Sequence, residues 1–216
     1  MCVILNAALF LLPLLTQPAE SGLAIQAIVQ TDFEFGPSRR AMKSEFWILS
    51  QEQAYEKRGA QVRRVAPFAL PPAEKEDIHT IGFDLDANPD FRMYKVNDTT
   101  ETRTVHGRSC TLTTAWAVAD YAEAHLRFWL CPRTDEREAK LNGIIARAVT
   151  LRYPNLEREA LKLLETSANR TALEAESEIE GPIAPLMKLT GRVLSLDAKP
   201  VEGNLAIPPV GGRDAR

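Results

Sequence analysis

The stretch from Cys110 to Cys131 limits what this chain can fold into more than any other segment. Its two cysteines lie symmetrically about Asp120-Tyr121. If the chain turns back there, Cys110 falls opposite Cys131, Leu112 opposite Trp129, Thr114 opposite Arg127 and Trp116 opposite His125. The other face collects Thr111, Thr113, Ala115 and Ala117 against Leu130, Phe128, Leu126 and Ala124. That face sets large residues of one strand against small ones of its partner, as a sheet covered by a helix requires. Opposed Cβ atoms of an antiparallel pair lie about 4.5–5.5 Å apart, within reach of a disulfide after local adjustment. Ala115 to Leu130 also reads as an alanine-rich helix, because alanine is the best helix former. Asp120-Tyr121 lacks the positive-φ residue of the favoured two-residue turns. The β-branched approach, the aromatic exit and the cysteine alignment favour the hairpin.

The chemistry of that cysteine pair depends on compartment, which the N-terminus addresses. Val3 to Leu15 is apolar apart from Asn6, and it is too short to span a bilayer comfortably. Pro18 to Ala24 follows as a small and polar zone. Together they read as the hydrophobic region and cleavage zone of a secretory signal. The basic leader region is missing, since no Lys or Arg precedes Arg39, and a buried N-terminal helix is the competing reading. Cleavage after Ala19 or Ala24 gives a signal peptide over residues 1–24. A single α+β domain over 25–208 and a disordered tail over 209–216 would follow. Cys2 leaves with the signal, and two cysteines then remain in an oxidising periplasmic or secreted location. Cys110 and Cys131 are therefore the expected disulfide. Closing a loop of about 20 residues stabilises a fold by roughly 3 kcal/mol.

The 216 residues fit one domain with appendages. A formal net charge of −3, from 26 basic and 29 acidic side chains, argues against a dedicated nucleic-acid binder. After signal removal no apolar run reaches the roughly 18 residues of a transmembrane span.

Along the chain, Ile25 to Phe35 and Ala41 to Leu49 read as strands around a Gly36-Pro37-Ser38 turn. Met42, Phe46 and Ile48 fall on one side of the second strand and Trp47 on the other. Ser50 with Gln53 reads as a capping box opening a short helix that ends at Gly59. Gln61 to Val65, Ile78 to Leu85, Phe91 to Val96 and Thr99 to Val105 are further strand candidates. After Pro132, Asp135 with Glu138 signals a helix start. Leu141, Ile144, Ile145, Ala148 and Val149 follow at helical spacing, with Asn142-Gly143 weakening the middle. Pro154-Asn155 opens a second helix. Glu174, Glu176, Glu178 and Glu180 alternate with smaller residues, as in an exposed edge strand or a solvated helix extension. Met187 to Leu196 and Val201 to Ile207 suggest a final pair of strands.

Candidate chemistry is sparse. The three histidines, His79, His106 and His125, are few for catalysis or metal binding. His106, Cys110, His125 and Cys131 could be written as a zinc site. In the hairpin, however, His125 lies about 20 Å along the strand from the cysteine pair, too far for four ligands on one ion. Asp84-Leu85-Asp86-Ala87-Asn88 resembles the opening of a calcium loop. Pro89 and Lys95 then stand where a glycine and a bidentate glutamate belong, so a solvated turn fits better. No nucleophile elbow, phosphate-cradling glycine loop or paired-histidine helix is present. Catalytic and ligand-binding residues are therefore unassigned, and neither a metal nor a cofactor is implied. Trp47, Trp116 and Trp129 read as core before they read as a pocket lining.

A strand-rich first half, the step Val105-His106-Gly107-Arg108-Ser109-Cys110, a hairpin, helices and the strand end Leu205-Ala206-Ile207-Pro208 follow in that order. This order resembles exported bacterial domains of the lipoprotein carrier (LolA-like) superfamily. The resemblance implies a curved antiparallel sheet wrapped over helices, with a concave face that can hold lipid or acyl chains. It transfers no functional residue. The helical stretch from Asp135 to Thr166 and the second cysteine depart from the pattern. Two functions stay open: a non-enzymatic envelope protein binding a lipophilic molecule or an envelope protein partner, and a secreted or periplasmic hydrolase with scattered catalytic residues.

Overall fold

The computed structural model describes residues 22–51, 53–65, 90–120, 122–150, 153–167, 169–181 and 186–201. The N-terminal leader with the residues preceding Gly22, Ile78 to Leu85, His79, the Asp84–Asn88 loop and the C-terminal tail lie outside these residues. Period-two alternation dominates the described sequence, and strands result. They are β1 (Leu23–Phe35), β2 (Ser38–Ile48), β3 (Ala54–Arg58), β4 (Gln61–Arg64), β5 (Arg92–Val105), β6 (Arg108–Ala119), β7 (Ala122–Pro132), β8 (Arg170–Glu180) and β9 (Met187–Pro200). Between β7 and β8 come a 3-10 turn (Glu136–Glu138), α1 (Ala139–Val149) and α2 (Pro154–Thr166). The strands form one curved, antiparallel sheet in the order β4-β3-β2-β1-β9-β8-β7-β6-β5. Two meanders are thus joined where the last strand returns to pair with the first. The α+β class, the antiparallel sheet and two main helices in the second half are as the sequence leads one to expect.

The Cys110–Cys131 segment is a hairpin, not a helix. Leu112 pairs with Trp129, Thr114 with Arg127 and Trp116 with His125. The two cysteines form a disulfide with Cα atoms 4.2 Å apart. At the preceding turn, His106 (φ 51) and Gly107 (φ 74) both take positive φ, the signature of a type I′ loop between Val105 and Arg108.

Three local expectations are corrected. Ser50 does accept a hydrogen bond from the Gln53 amide at 3.1 Å, as a cap would. No helix follows, because Tyr55 finds a cross-strand partner in Trp47 and Glu56 in Phe46. Gly59 (φ 58) then serves as the first residue of a two-residue hairpin loop, where only glycine is unstrained, instead of stopping a helix. The two candidates Phe91–Val96 and Thr99–Val105 are one strand, β5, carried through irregularities between Met93 and Lys95 and between Asp98 and Thr102. The glutamate-rich strand is no edge: β8 lies between β7 and β9. Its glutamates occupy the face without helices, while Ala175, Ser177 and Ile179 are buried on the other.

The helices cover one face of the sheet. α1 packs on β8 and β9, and α2 on β5 and β8. Gly191 makes the approach of α1 possible, since a Cβ there would meet the Ala148 Cβ at 3.0 Å and Val149 at 3.4 Å. Asn142 does not weaken the helix as expected. It is buried, accepts from the Ala172 amide at 2.9 Å and donates to the Leu164 carbonyl at 3.5 Å, so it ties α1 to β8 and α2. Leu141, Ile145, Val149, Leu156 and Leu164 join Phe128, Leu126 and Leu189 of the sheet in one core. Burying each such side chain contributes about 1.5–3 kcal/mol. A smaller cluster of Ala24, Trp47, Tyr55 and Val201 lies apart from it.

Candidate functional site

The sheet presents two unlike faces. On the helix side, the apolar stripe does not stop at the strands the helices cover. It continues over β1 and β2 through Val29, Phe33, Phe46 and Ile48, which are themselves buried, with Phe35 packed against them. Neither helix packs principally on these two strands. Met42 pairs with Thr31 and so shares this face, yet half of it (50%) is open to solvent. Beside it Arg40, paired with Phe33, is also exposed.

The opposite face is polar and largely self-neutralised. Along β8, Glu174 pairs with Arg192 at 3.1 Å, Glu176 with Arg127 at 3.9 Å and Glu178 with Lys188 at 2.5 Å. The Glu178 carboxylate accepts from the Lys188 ammonium and raises its pKa, mostly through that hydrogen bond. One aromatic row interrupts the charges. Tyr94 meets Trp116 edge-on with ring centroids 5.0 Å apart, and His125 stacks on Trp116 at 5.7 Å. The Trp116 indole donates to Glu123 at 3.2 Å. At the end of this row Val118, Asp120, Glu123 and Glu180 line a shallow depression of about 360 Å³.

The tip of the β5–β6 hairpin lies across this polar face. β5 is the edge strand, four strand spacings from β9, which amounts to about 19 Å in a flat sheet. Yet His106 at the tip hydrogen-bonds the Val193 carbonyl of β9 at 2.6 Å. Arg103 lies over the Trp129 ring at 4.0 Å and pairs with Glu174. The hairpin must therefore fold over β7 and β8. Arg108, the first residue after the turn, is anchored in turn, donating to both carboxylate oxygens of Glu138 at 2.7 and 2.9 Å and to Thr134 at 2.9 Å.

Among the described residues, the buried glutamates Glu56, Glu138 and Glu157 all have structural partners. Glu138 is held by Arg108, and Glu157 by Arg147 at 3.0 Å. Glu56 is held by Arg58 at 2.7 Å and by Arg63. Burial pushes the Glu56 carboxyl up. Hydrogen bonds from Ser44 and Arg63 and the charges of Arg58 and Arg63 outweigh that push and hold it below the ordinary range. Asp135, which caps the 3-10 turn through the Arg137 amide at 2.8 Å, is lowered chiefly by its bond from the Arg137 side chain.

The structure separates the residues of the notional zinc site. The two cysteines are consumed by the disulfide, His106 faces Val193, and His125 stacks on Trp116. His125 has Glu178 as its cross-strand neighbour, but that carboxylate is engaged by Lys188. Among the described residues no group of three or more His, Cys, Asp or Glu side chains is arranged to hold a metal ion. No described helix is long and apolar enough to cross a membrane. Sequence reasoning missed the Arg103–Trp129–Glu174 contact and the buried pairs. The Arg103–Trp129–Glu174 contact and the Arg108–Glu138 pair join residues far apart in the chain, whereas Arg147–Glu157 and Glu56–Arg63 are 10 and 7 residues apart but sit on different elements. Only the Asp135-Glu138 spacing drew notice, for a capping role that Glu138 does not fill.

No protein-family model and no curated protein matches the sequence. Some solved structures align with the chain loosely. A LolA superfamily protein from Nitrosomonas europaea aligns at 8% identity over 82% of this chain and 86% of its own, with a TM-score of 0.26. A DUF1329 family protein from Desulfovibrio piger aligns at 10% identity over 83% and 87%, with a TM-score of 0.25. A domain described as an outer membrane lipoprotein-sorting protein, from Vibrio parahaemolyticus, aligns at 6% identity over 82% and 85%, with a TM-score of 0.21. A likeness this loose says nothing of ligand or residue roles.

Proposed function

We propose that the chain is an exported envelope protein that binds a lipophilic molecule on the helix side of its sheet. The observation that carries this reading is the apolar stripe of β1 and β2. Val29, Phe33, Phe35, Phe46 and Ile48 extend it past the strands on which the helices chiefly pack, and Met42 continues it to solvent. Concave apolar surfaces with few polar groups are the usual setting for apolar ligands. A binding role rather than catalysis is supported by the buried carboxylates, since Glu56, Glu138 and Glu157 are each engaged by arginine.

The test is to purify the protein from its native envelope, extract it with organic solvent and identify what co-purifies by mass spectrometry. A lipid or acyl compound in near-stoichiometric amount is expected. Met42→Glu places a charge on the stripe, and desolvating a charge costs well over the 1.4 kcal/mol that equals tenfold in affinity, so retention should fall at least about tenfold. A protein that carries only an envelope polypeptide, or whose lipid content ignores Met42→Glu, would overturn the reading.

A further inference from the structure

We infer that the open outer edge of β2, from Ser38 to Lys43, docks on an anionic phospholipid surface. This rests on the lipid-binding reading above and deepens it by naming where the apolar stripe meets a bilayer. β2 pairs with β1 along its whole length, but with β3 only from Glu45 onward. Its outer edge before Glu45 therefore pairs with no strand among the described residues, and every residue from Ser38 to Lys43 is exposed. Three of them are cationic: Arg39, Arg40 and Lys43. Arg39 meets Glu34 at 3.2 Å, but both side chains are open to water, where such a pair contributes little. Arg40 and Lys43 form no ion pair with a described residue. On the polar face of β7 to β9, by contrast, Arg127, Lys188 and Arg192 each meet a glutamate. The acids nearest the edge are already engaged. Asp32 accepts from the Gln30 side chain at 2.8 and 3.0 Å, and Glu34 lies between Arg39 and Lys188 in the ladder. The counter-charge for Arg40 and Lys43 is left to come from outside.

Met42 supplies the apolar part. It is half exposed (50%) and continues the stripe of Phe33 and Phe35 to the same edge. A basic patch around an exposed apolar side chain suits the headgroup region of an anionic bilayer. The cations meet phosphates there, and the apolar group reaches the acyl boundary. An edge laid along the surface presents both faces of its strand, so Arg40 and Met42 on one face and Arg39 and Lys43 on the other all reach it. The unpaired backbone of the edge fits that depth and no deeper. Headgroup water and phosphate satisfy its amides, whereas hydrocarbon would not.

The experiment takes protein purified from its native envelope and measures its sedimentation with two kinds of vesicle. One is phosphatidylcholine alone, the other an equimolar mixture with phosphatidylglycerol. Binding is expected to the mixture only, and it should weaken with salt, because exposed charges are screened over about 10 Å at 0.1 M. Each cation at such a surface strengthens binding about fivefold, so Arg40→Gln with Lys43→Gln should lower it about 25-fold. Arg64→Gln with Lys95→Gln removes as much charge from exposed positions of β4 and β5 and should lower it far less. Met42→Ser should lower it at high salt too, since apolar burial is not screened. Equal losses from the two double variants overturn the docking edge, and so does equal binding to both vesicles. Protein that carries envelope lipid but binds neither vesicle overturns the docking and leaves the ligand reading standing. Protein that carries no lipid yet binds the mixture through Arg40 and Lys43 does the reverse. A dimer that depends on Met42, without vesicle binding, assigns the edge to a second copy and overturns the docking.

Discussion

Glu56 shows how this protein manages a buried charge. Its side chain is only 7% exposed, yet it lies between two arginines, with the Arg63 Nε donating at 2.7 Å. Its carboxyl is depressed in the folded state because the hydrogen bonds and arginine charges outweigh burial. A carboxyl lowered on folding contributes stability above its unfolded value and loses it as pH falls through the folded value. The unfolded value is about 4.3, so the loss should begin near there and grow as the solution is acidified further. Urea midpoints of the parent and of Glu56→Gln, taken from neutral pH downward, test this. Glu56→Gln should be less stable at neutral pH, and the gap should narrow in acid. A gap independent of pH would mean that the ion pairs contribute nothing net, as buried pairs sometimes do. The Arg108–Glu138 and Arg147–Glu157 pairs place charges in the same way, one beside the β5–β6 turn and one between the helices.

At the scale of elements, α1 packs closely on β9 at Gly191. Gly191 has no Cβ, and a methyl there would press against Ala148 at 3.0 Å. The backbone at Gly191 is not in the positive-φ region, so the cost of Gly191→Ala is steric and not conformational. Overpacking of this kind typically costs about 1–3 kcal/mol, which thermal denaturation should register as a lower midpoint. An unchanged midpoint would show that α1 can lift without loss. Such contacts are invisible in sequence, whereas alternation is not. The β6–β7 hairpin was legible because its face pattern, its aromatic exit and its cysteine symmetry agree. Ser50-Gln53 misled because a serine hydroxyl bonds an amide three residues on in a turn as readily as at a helix start. The glutamates of β8 looked like an edge because they alternate, but alternation reports only that one face is wet. It does not report whether neighbouring strands lie on either side.

At the scale of the whole molecule, the pairing of β1 with β9 brings Leu23 beside Pro200 and joins the two halves of the sheet across nearly the full described sequence. No local pattern encodes that pairing, which is why strand content was legible and strand order was not. The apolar stripe of the proposed site was likewise visible only as core, since composition does not say on which strands the helices chiefly pack. The fold of the β5–β6 tip over the polar face is a second long-range feature, and the disulfide stands at its base. Cys110 and Cys131 link β6 to β7 over a separation of 21 residues, next to the Arg108–Glu138 anchor. Beyond that point the tip is held by His106 on Val193 and by Arg103 over Trp129. Removing the bridge with Cys110→Ser and Cys131→Ser together frees the loop in the unfolded chain. It should cost about 2–5 kcal/mol, toward the low end because a core of this size carries much of the stability itself. Urea unfolding of the oxidised parent against the double variant measures the loss. Hydrogen exchange locates it: amides from Arg103 to Arg108 should exchange faster while those of β1 and β2 keep their relative protection. An unchanged urea midpoint would show that the β6–β7 ladder and the ion-pair anchor hold the hairpin without the bridge. Uniformly faster exchange would show that the bridge supports the whole sheet and not the folded-over tip.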